Sequence, residues 1–307
     1  MSTDSYPISV VIFCKNAGKF LSKAYNSVKF ADDVLVADME SQDGSAVLAK
    51  ELGARVVSFK DQGFVEPVRN EGIKRAKHDW VLVLDADEEI SDNLKLWLQS
   101  FASTINGKQH PINGYYLPRK NIIFGHEMQG TGWWPDYQLR FFHRDFISWS
   151  DRIHEPPTVR GQVEYLKVDS ERMIVHHNYQ SVGQYLDRLN HYSTIMAEQR
   201  GHLKECDAEK VMMVWKDELF RRWFIGDAAV DGGLGVSLGL LQATSELATL
   251  LKRWEKRKFE EPDNTLPFLD VIRRFQQDMN YWIADYQVKH STVPSSLWWR
   301  IRRKLKI

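Results

Sequence analysis

Cysteine is scarce in this chain of 307 residues, and several other features of specialised protein classes are missing. Cys14 and Cys206 are too few and too far apart to predict a disulfide framework, which is consistent with a reducing cytoplasm. Two cysteines cannot form a thiolate cage for zinc, and the histidines lack the spacing of a zinc protease. Because the formal net charge is zero, no bulk attraction to nucleic acid is expected.

Long apolar runs are also lacking. None reaches the roughly 20 uninterrupted residues that a membrane-spanning helix needs. The nearest approach is residues 228–251, but Asp231 and Glu246 interrupt it, so we predict a packed or interfacial helix there. The short polar start at residues 1–7 has no signal-peptide pattern, and a cytoplasmic location is therefore expected.

The segment WVLVLDADEE at residues 80–89 is the most informative feature that is present. An apolar run with strand propensity ends there in four acidic residues, and one small residue separates the first of them from the other three. Asp85 and Asp87 can present oxygens to Mg²⁺ or Mn²⁺, ions that usually share their coordination with substrate phosphates. A solvated acidic turn is the alternative reading. An EF-hand is disfavoured because Ile90 replaces the glycine at the sixth loop position.

Strand and helix patterns alternate up to this segment. Apolar runs predict strands at residues 8–13, 34–37, 55–59 and 80–84, and helical spacing or cap residues fall between them. This alternation predicts an α/β fold with a mostly parallel, right-handed sheet. Polar residues follow three of the strands and should gather at the carboxyl edge, where open sheets bind ligands. These residues are Asn16, Asp38 and Asp85.

Several blocks occur in the order seen in family 2 glycosyltransferases, which this chain resembles over about residues 7–255. The first blocks are SVVIFCKN at 9–16, DMESQDGS at 38–45, Arg69-Asn70 and DWVLVLDADE at 79–88. Three later blocks resemble the branch that includes lipopolysaccharide-core glucosyltransferases. They are GWWPDYQLRFF at 132–142, RIHE at 152–155 and HHNYQS at 176–181.

The resemblance implies an inverting enzyme with the GT-A fold, a Rossmann-like, mostly parallel sheet flanked by helices, and a helical C-terminal extension. Residues 1–108 would form the nucleotide-sugar-binding half and 109–180 the acceptor-binding, catalytic half of one domain. Residues 181–307 would form a helical region with a basic tail. The implied reaction moves a hexose, glucose from UDP-glucose, onto a saccharide or glycolipid acceptor in lipopolysaccharide-core or envelope glycan synthesis.

The same resemblance assigns the donor site. The residues expected to bind the nucleotide are Phe13, Asn16, Asp38, Glu40, Arg69 and Asp85. Asp87 is the expected direct ligand of Mn²⁺ or Mg²⁺, and Asp85 would be shared between ribose and metal. His176 is the third predicted ligand because it ends an apparent strand and neutral imidazole can bind Mn²⁺. A hydrogen-bonded structural histidine is the alternative.

Inverting transfer also needs a carboxylate that takes the proton from the acceptor hydroxyl. Glu155 in the RIHE block is the predicted base, and Asp136 is the second candidate. For either carboxylate, a structural salt bridge to Arg152 or Arg140 is the alternative. The turn around Trp133 and Trp134 is expected to bind the acceptor together with Arg140, since flat aromatic faces pack against pyranose rings.

The last residues combine Trp298 and Trp299 with five cations, at Arg300, Arg302, Arg303, Lys304 and Lys306. Aromatic residues beside a basic cluster suit a phospholipid headgroup layer, so the inner leaflet of a membrane is a candidate partner surface. A disordered, solvated tail is the alternative.

Two other functions stay open from sequence alone. One is a phosphotransferase or phosphatase that uses the Asp-x-Asp pair, although its motif should follow the first strand, whereas three predicted strands precede this one. The other is a non-catalytic sugar-nucleotide-binding protein that kept the fold and lost turnover.

Overall fold

The computed structural model describes residues 6–105, 110–152, 155–168, 171–201, 203, 205–290 and 293–306. The predicted division between residues 108 and 109 lies outside these residues, as do Ile153 and His154 of the RIHE block. The chain divides into two compact units. Unit 1 comprises Met1–Glu127 and Trp134–Ser181, and unit 2 comprises Met128–Trp133 and Val182–Ile307.

Unit 1 contains a ten-stranded sheet, a separate two-stranded sheet and four α-helices within the residues described. The strands are β1 (Tyr6–Cys14), β2 (Ala31–Asp38), β3 (Arg55–Ser58), β4 (Trp80–Asp85), β5 (Glu88–Ile90), β6 (Gly114–Ile123), β7 (His126–Glu127), β8 (Asp136–His143), β9 (Ile147–Ser148), β10 (Thr158–Val159), β11 (Val163–Tyr165) and β12 (Ile174–His176). The helices are α1 (Gly18–Val28), α2 (Ser45–Glu51), α3 (Glu66–Lys74) and α4 (Asp92–Ala102).

The strand order of the large sheet is β3-β2-β1-β4-β8-β6-β12-β5, with β7 and β11 also paired to β6. The first four strands along the chain are parallel neighbours. Strand β8 then runs antiparallel between β4 and β6. The α/β fold predicted from the strand and helix alternation is confirmed, and the mixed half of the sheet begins at β8.

The central strands are covered on both faces. Ile12 of β1 packs with Leu21 of α1 on one side of the sheet, and its neighbour Val11 packs with Val68 of α3 on the other. Two covered faces explain why these strands read as continuous apolar runs rather than as alternating patterns. Each fully buried side chain of this kind contributes about 1.5–3 kcal/mol.

Unit 2 is helical in its described residues. Its α-helices are α5 (Val182–Gln199), α6 (Ala208–Phe220), α7 (Gly232–Glu255), α8 (Phe268–His290) and α9 (Val293–Leu305). The apolar side of α6 is packed within the unit, because Leu219 lies in one buried cluster with Phe220 and with Ala243 of α7.

Among the described residues, one helical stretch is long and apolar enough to cross a membrane by length and composition alone. It is Ala228–Glu255, with a mean hydropathy of 1.3 and 33% of its apolar window buried. Core helices of soluble proteins pass the same test. Here α7 packs on α6 through Ala243, and Lys252 donates to the Asn190 carbonyl on α5. Helix α7 therefore has packing contacts within its unit, and the choice between a packed and an interfacial helix stays a prediction.

Candidate active site

The carboxyl edge of the parallel strands brings three predicted residues together through strand register. Asp38 at the end of β2 lies opposite Cys14 of β1, and Asp85 at the end of β4 lies opposite Phe13. Asn16 follows two residues after Cys14. Its backbone N–H donates to Ser41 Oγ (2.9 Å), and its side-chain oxygen accepts from the Gln42 N–H (2.7 Å).

Asp38 is buried at this edge with half of its carboxylate satisfied. Its Oδ2 accepts from the Ser41 N–H at 3.3 Å, while Oδ1 has no hydrogen-bond partner within the described residues. A buried carboxylate oxygen without a donor is costly, which makes Oδ1 of Asp38 a candidate contact for a ligand at this edge. Glu40 Oε2 accepts from the Asp61 N–H and holds the next loop, and its contact with the nucleotide stays a prediction.

Arg69 reaches the same edge from α3. Its Nη2 donates to Asp85 Oδ1 at 3.2 Å, and its guanidinium lies 5.2 Å from the ring centroid of Phe13. Its Nη1 is buried and has no partner in the described part of the chain. The Phe13 ring packs against Gly72, where a Cβ would come within 2.8 Å of it. Phe13 therefore supports Arg69, and its direct contact with the nucleotide stays a prediction.

Three carboxylates and three guanidinium groups form a neutral cluster beside this edge. Glu88 is fully buried, and its Oε1 accepts from Arg119 (2.9 Å) and Arg140 (2.8 Å). Arg140 also donates to Asp85 Oδ2 at 2.7 Å. Asp85 thus has both oxygens paired with arginines. Arg140 is buried within the cluster and pairs with Asp85 and Glu88, and its contact with the acceptor stays a prediction.

Charge pairing within the cluster outweighs burial. Burial alone would raise the pKa of Asp85, but Arg140 and then Arg69 hold that pKa well below its usual range. Burial likewise opposes the shift at Asp136, where Arg119 and the Asn121 amide keep the pKa low. A carboxyl group whose pKa is lower in the folded than in the unfolded state stabilises the fold at pH values above the unfolded-state pKa. This stability is lost as the pH falls through the folded-state pKa.

Asp136 has the environment of a structural ion pair. Its Oδ2 accepts from Arg119 Nη2 at 2.6 Å and from Asn121 Nδ2 at 3.1 Å, and Oδ1 accepts from Gln138 at 2.7 Å. The partner is Arg119 rather than either arginine considered from sequence. A carboxylate held this way, with a lowered pKa, is a weak proton acceptor.

His176 faces Asp87 from the end of β12. Its Nδ1 lies 2.8 Å from Asn121 Oδ1, and its Nε2 lies 3.6 Å from Asp87 Oδ1. Because the Asn121 amide nitrogen donates to Asp136, the oxygen of that amide accepts, which assigns the proton to His176 Nδ1. In the neutral ring Nε2 then offers a lone pair toward a carboxylate, an arrangement that a cation stabilises.

Two of the three predicted metal ligands, Asp87 and His176, face each other. Among the residues that the structure describes, no group of three His, Cys, Asp or Glu side chains is placed to hold a metal. Both oxygens of Asp85 pair with arginines, and its role as a metal ligand stays a prediction. Asp87 and His176 remain suitable, since Mg²⁺ and Mn²⁺ sites are commonly completed by substrate phosphates and water.

Glu155, the predicted base, is exposed on the segment between β9 and β10. Its carboxylate accepts from Ser150 Oγ at 2.6 Å and from Arg152 Nη1 at 3.4 Å. The start of this segment is fixed to α3, because Asn70 bonds both the N–H and the carbonyl of Trp149. Asn70 follows Arg69 directly. Helix α3 therefore positions both the start of the segment that carries Glu155 and the unpartnered Nη1 of Arg69.

The two predicted acceptor tryptophans belong to different units. Trp134 in unit 1 has Lys120 Nζ 6.0 Å from its ring centroid. Trp133 in unit 2 has the Arg222 guanidinium 5.4 Å from its ring centroid. One face of each ring is therefore covered by a cation.

Sequence reasoning missed Arg119 and Asn121, and it gave Glu88 no role. The two β6 residues are separated by one position and so lie on the same face of that strand, which is the only sign of them in the sequence. Their importance follows from strand order, since β6 lies between β8 and β12 and contacts Asp136 and His176.

Comparison with known proteins agrees with this geometry. Residues 9–155 match the model of the family described as glycosyl transferase family 2. A protein of Rickettsia felis named as an uncharacterised glycosyltransferase is 26% identical over 280 residues, 82% of this chain and 96% of that protein. The lipopolysaccharide core biosynthesis glycosyltransferase LpsC of Rhizobium meliloti is 23% identical over 207 residues, 63% of this chain and 72% of that protein.

Solved structures are more distant. Residues 1–349 of S. aureus TarS in complex with UDP-GlcNAc have a TM-score of 0.45 at 14% identity, over 89% of this chain and 91% of that one. At this level nothing about the donor or acceptor follows. The fold, together with the polar residues at the carboxyl edge of its sheet, defines an α/β protein with a candidate ligand site at the ends of parallel strands. The part of the chain that matches the family 2 glycosyltransferase model includes β1 to β4 and the charged cluster.

Asp38→Ala is expected to weaken UDP binding by about tenfold or more, because a charge-assisted hydrogen bond contributes about 1.5–3 kcal/mol. Isothermal titration calorimetry measures this. Asp32→Ala is the matched control, since Asp32 lies at the opposite end of β2 and pairs with His78. Equal UDP affinity for both variants and the parent would make Asp38 a turn-forming residue only.

Proposed function

We propose that the chain is an inverting glycosyltransferase that moves glucose from UDP-glucose onto a saccharide or lipid-linked acceptor in lipopolysaccharide-core or envelope glycan synthesis. The observation that carries the proposal is the pair of buried, unpartnered atoms at the sheet edge of a family 2 domain. Asp38 Oδ1 needs a donor, and Arg69 Nη1 needs an acceptor. The name of the Rhizobium relative supports the choice of pathway.

A nucleoside diphosphate meets both needs. Its base or ribose offers N–H or O–H donors for Asp38, and its phosphates offer oxygens for Arg69. Asp85 cannot approach a phosphate without the charge of Arg69 and Arg140 beside it, so its part is to orient Arg69. Because Phe13 packs under the guanidinium, Arg69 keeps one defined position for the leaving diphosphate.

Glu155 is the proposed base. It is exposed to an incoming acceptor, whereas Asp136 is enclosed by Arg119, Asn121 and Gln138. In the proposed step Glu155 takes the proton of the acceptor hydroxyl as its oxygen bonds to the anomeric carbon. The bond to the diphosphate oxygen breaks on the opposite face, through a transition state with oxocarbenium character.

Asp87 and His176 are the proposed ligands of Mn²⁺ or Mg²⁺. A divalent ion held there would neutralise negative charge on the diphosphate. The Asn121 amide would orient His176 toward this ion. Asn121 holds the His176 ring through its oxygen, and Asp136 holds the Asn121 amide in turn.

UDP is expected to bind at least tenfold more tightly with Mn²⁺ than with chelator, and Asp87→Ala is expected to abolish the difference. Calorimetry of each protein in both conditions measures the effect. Glu89→Ala is the control, because Glu89 pairs with His177 (2.7 Å) and lies outside the proposed ligand pair. Equal UDP affinity with and without metal in the parent would contradict the proposed ion site.

A phosphotransferase is disfavoured by the pairing of Asp85. The first aspartate of such a motif must attack phosphorus, and both oxygens of Asp85 are held by arginines. A non-catalytic binding protein would share the donor site with a glycosyltransferase. A measurement of turnover decides between these two functions. The proposed location is the cytoplasm.

Thermal unfolding with a panel of nucleotide sugars tests the proposed donor. We expect UDP-glucose with Mn²⁺ to raise the midpoint more than GDP-mannose or other non-uridine donors, because ligand bound only by the folded state stabilises it. The Asp38→Ala variant should lose this shift. Stronger stabilisation by a guanosine or cytidine donor would change the assigned donor while keeping the class of enzyme.

A further inference from the structure

Helix α9 is a cationic helix docked on α8. Residues 293–306 contain five lysines and arginines and no acidic residue. Arg303 pairs with Asp285 at 2.7 Å, and Lys306 lies 3.5 Å from Asp278, both on α8. The solvated, disordered tail considered from sequence is therefore replaced by a helix with a fixed inner face.

The outer face of α9 is apolar. Trp298, Ile301 and Leu305 have exposed fractions of 54%, 53% and 58%. Their spacing of three and four residues places them in one stripe along the helix. Arg302 lies over the Trp298 ring, 4.7 Å from its centroid, so a guanidinium borders this stripe at its aromatic end.

Cations border the same stripe. At roughly 100° per residue, Arg302 and Lys304 lie about 80° to either side of the centre of the stripe, and Arg300 follows on the Lys304 side. Arg300 and Lys304 are exposed, whereas Arg303 is turned to its acidic partner on α8. The helix thus has an inner face anchored by acids and an outer face of apolar residues between positive charges.

We propose that this outer face binds the surface of an anionic phospholipid bilayer. Trp298, Ile301 and Leu305 would enter the boundary between headgroups and acyl chains, and Arg300, Arg302 and Lys304 would lie at the phosphates. Charge selects this occupant over a second copy of the chain, because two such faces would bring like charges together without an acid between them. The proposal does not depend on the proposed function.

Sedimentation of the full chain with vesicles tests it. Vesicles of phosphatidylcholine mixed with phosphatidylglycerol should bind the chain, and binding should weaken as salt rises, since the Debye length is about 8 Å at physiological ionic strength. Arg300→Ser with Lys304→Ser should lower the partition coefficient about tenfold or more. Trp298→Ser with Ile301→Ser should lower it by a similar factor, and UDP affinity should not change.

The matched control for charge is Lys29→Ser with Lys50→Ser, two exposed lysines of unit 1 that change the net charge equally. This control should change the partition coefficient by about twofold or less. Equal binding to pure phosphatidylcholine, or binding that survives removal of residues 298–307, would overturn the proposal and move any membrane contact to another part of the chain. A dimer seen by light scattering and lost in Trp298→Ser would assign the face to a second copy.

Discussion

Arg140→Met is expected to lower the free energy of unfolding of the sheet unit by about 3–5 kcal/mol, the cost of removing one partner from a buried charge group. Of its guanidinium partners, the fully buried Glu88 would keep only Arg119, and Asp85 would keep only Arg69. Methionine fills much of the side-chain volume, so the loss reports charge rather than a cavity. Urea unfolding of the parent and the variant measures the difference.

Arg144→Met is the control for this prediction. Arg144 lies four residues further along and pairs with Asp79 at 2.8 Å, but this pair is at the surface. Exposed ion pairs contribute about 0–1 kcal/mol, so the control should stay near the parent. Similar losses for the two variants would mean that the cluster is no more important to the fold than a surface pair.

Glu155→Gln is expected to lower turnover by on the order of a hundredfold or more while UDP affinity stays at the parental value, because glutamine cannot take the acceptor proton. The change keeps the shape of the side chain and its contact with Ser150. Single-turnover rates with a saturating donor separate this loss from weaker binding. The proposed assignment rests on the exposure of Glu155 and on the enclosure of Asp136.

Asp151→Asn is the matched control, since Asp151 is an exposed carboxylate on the same segment. It should keep a near-parental rate. Asp136→Asn should instead lower stability, because it leaves Arg119 with fewer partners. A near-parental rate in Glu155→Gln, with a large loss of rate in a folded Asp136→Asn variant, would transfer the base to Asp136.

Local patterns in the sequence were sufficient for the parallel half of the fold. The runs that form β1, β2 and β4 are continuous because both faces of these strands are covered, and a polar residue closes or follows each of them. Parallel strands place their carboxyl ends at one edge, so Asp38 and Asp85 could be placed together without any knowledge of side-chain contacts.

The charged cluster could not be predicted in the same way. It depends on the antiparallel strand β8, which carries Arg140 to Asp85, and on β6, which carries Arg119 between Glu88 and Asp136. The pairing of neither strand produces a pattern in the local spacing of apolar residues. For the same reason the pairing of Arg140 with Asp85 was not predicted from the sequence.

The most direct test of the central claim is the configuration of the sugar released from UDP-α-glucose, followed by proton NMR in the presence of Mn²⁺ before mutarotation. Glucosyl transfer to water by an inverting enzyme gives β-glucose first, because water enters opposite the departing UDP. We predict β-glucose with the parent chain, and no release above background with Glu155→Gln. Initial α-glucose, or no release with any nucleotide sugar and acceptor tested, would contradict the account.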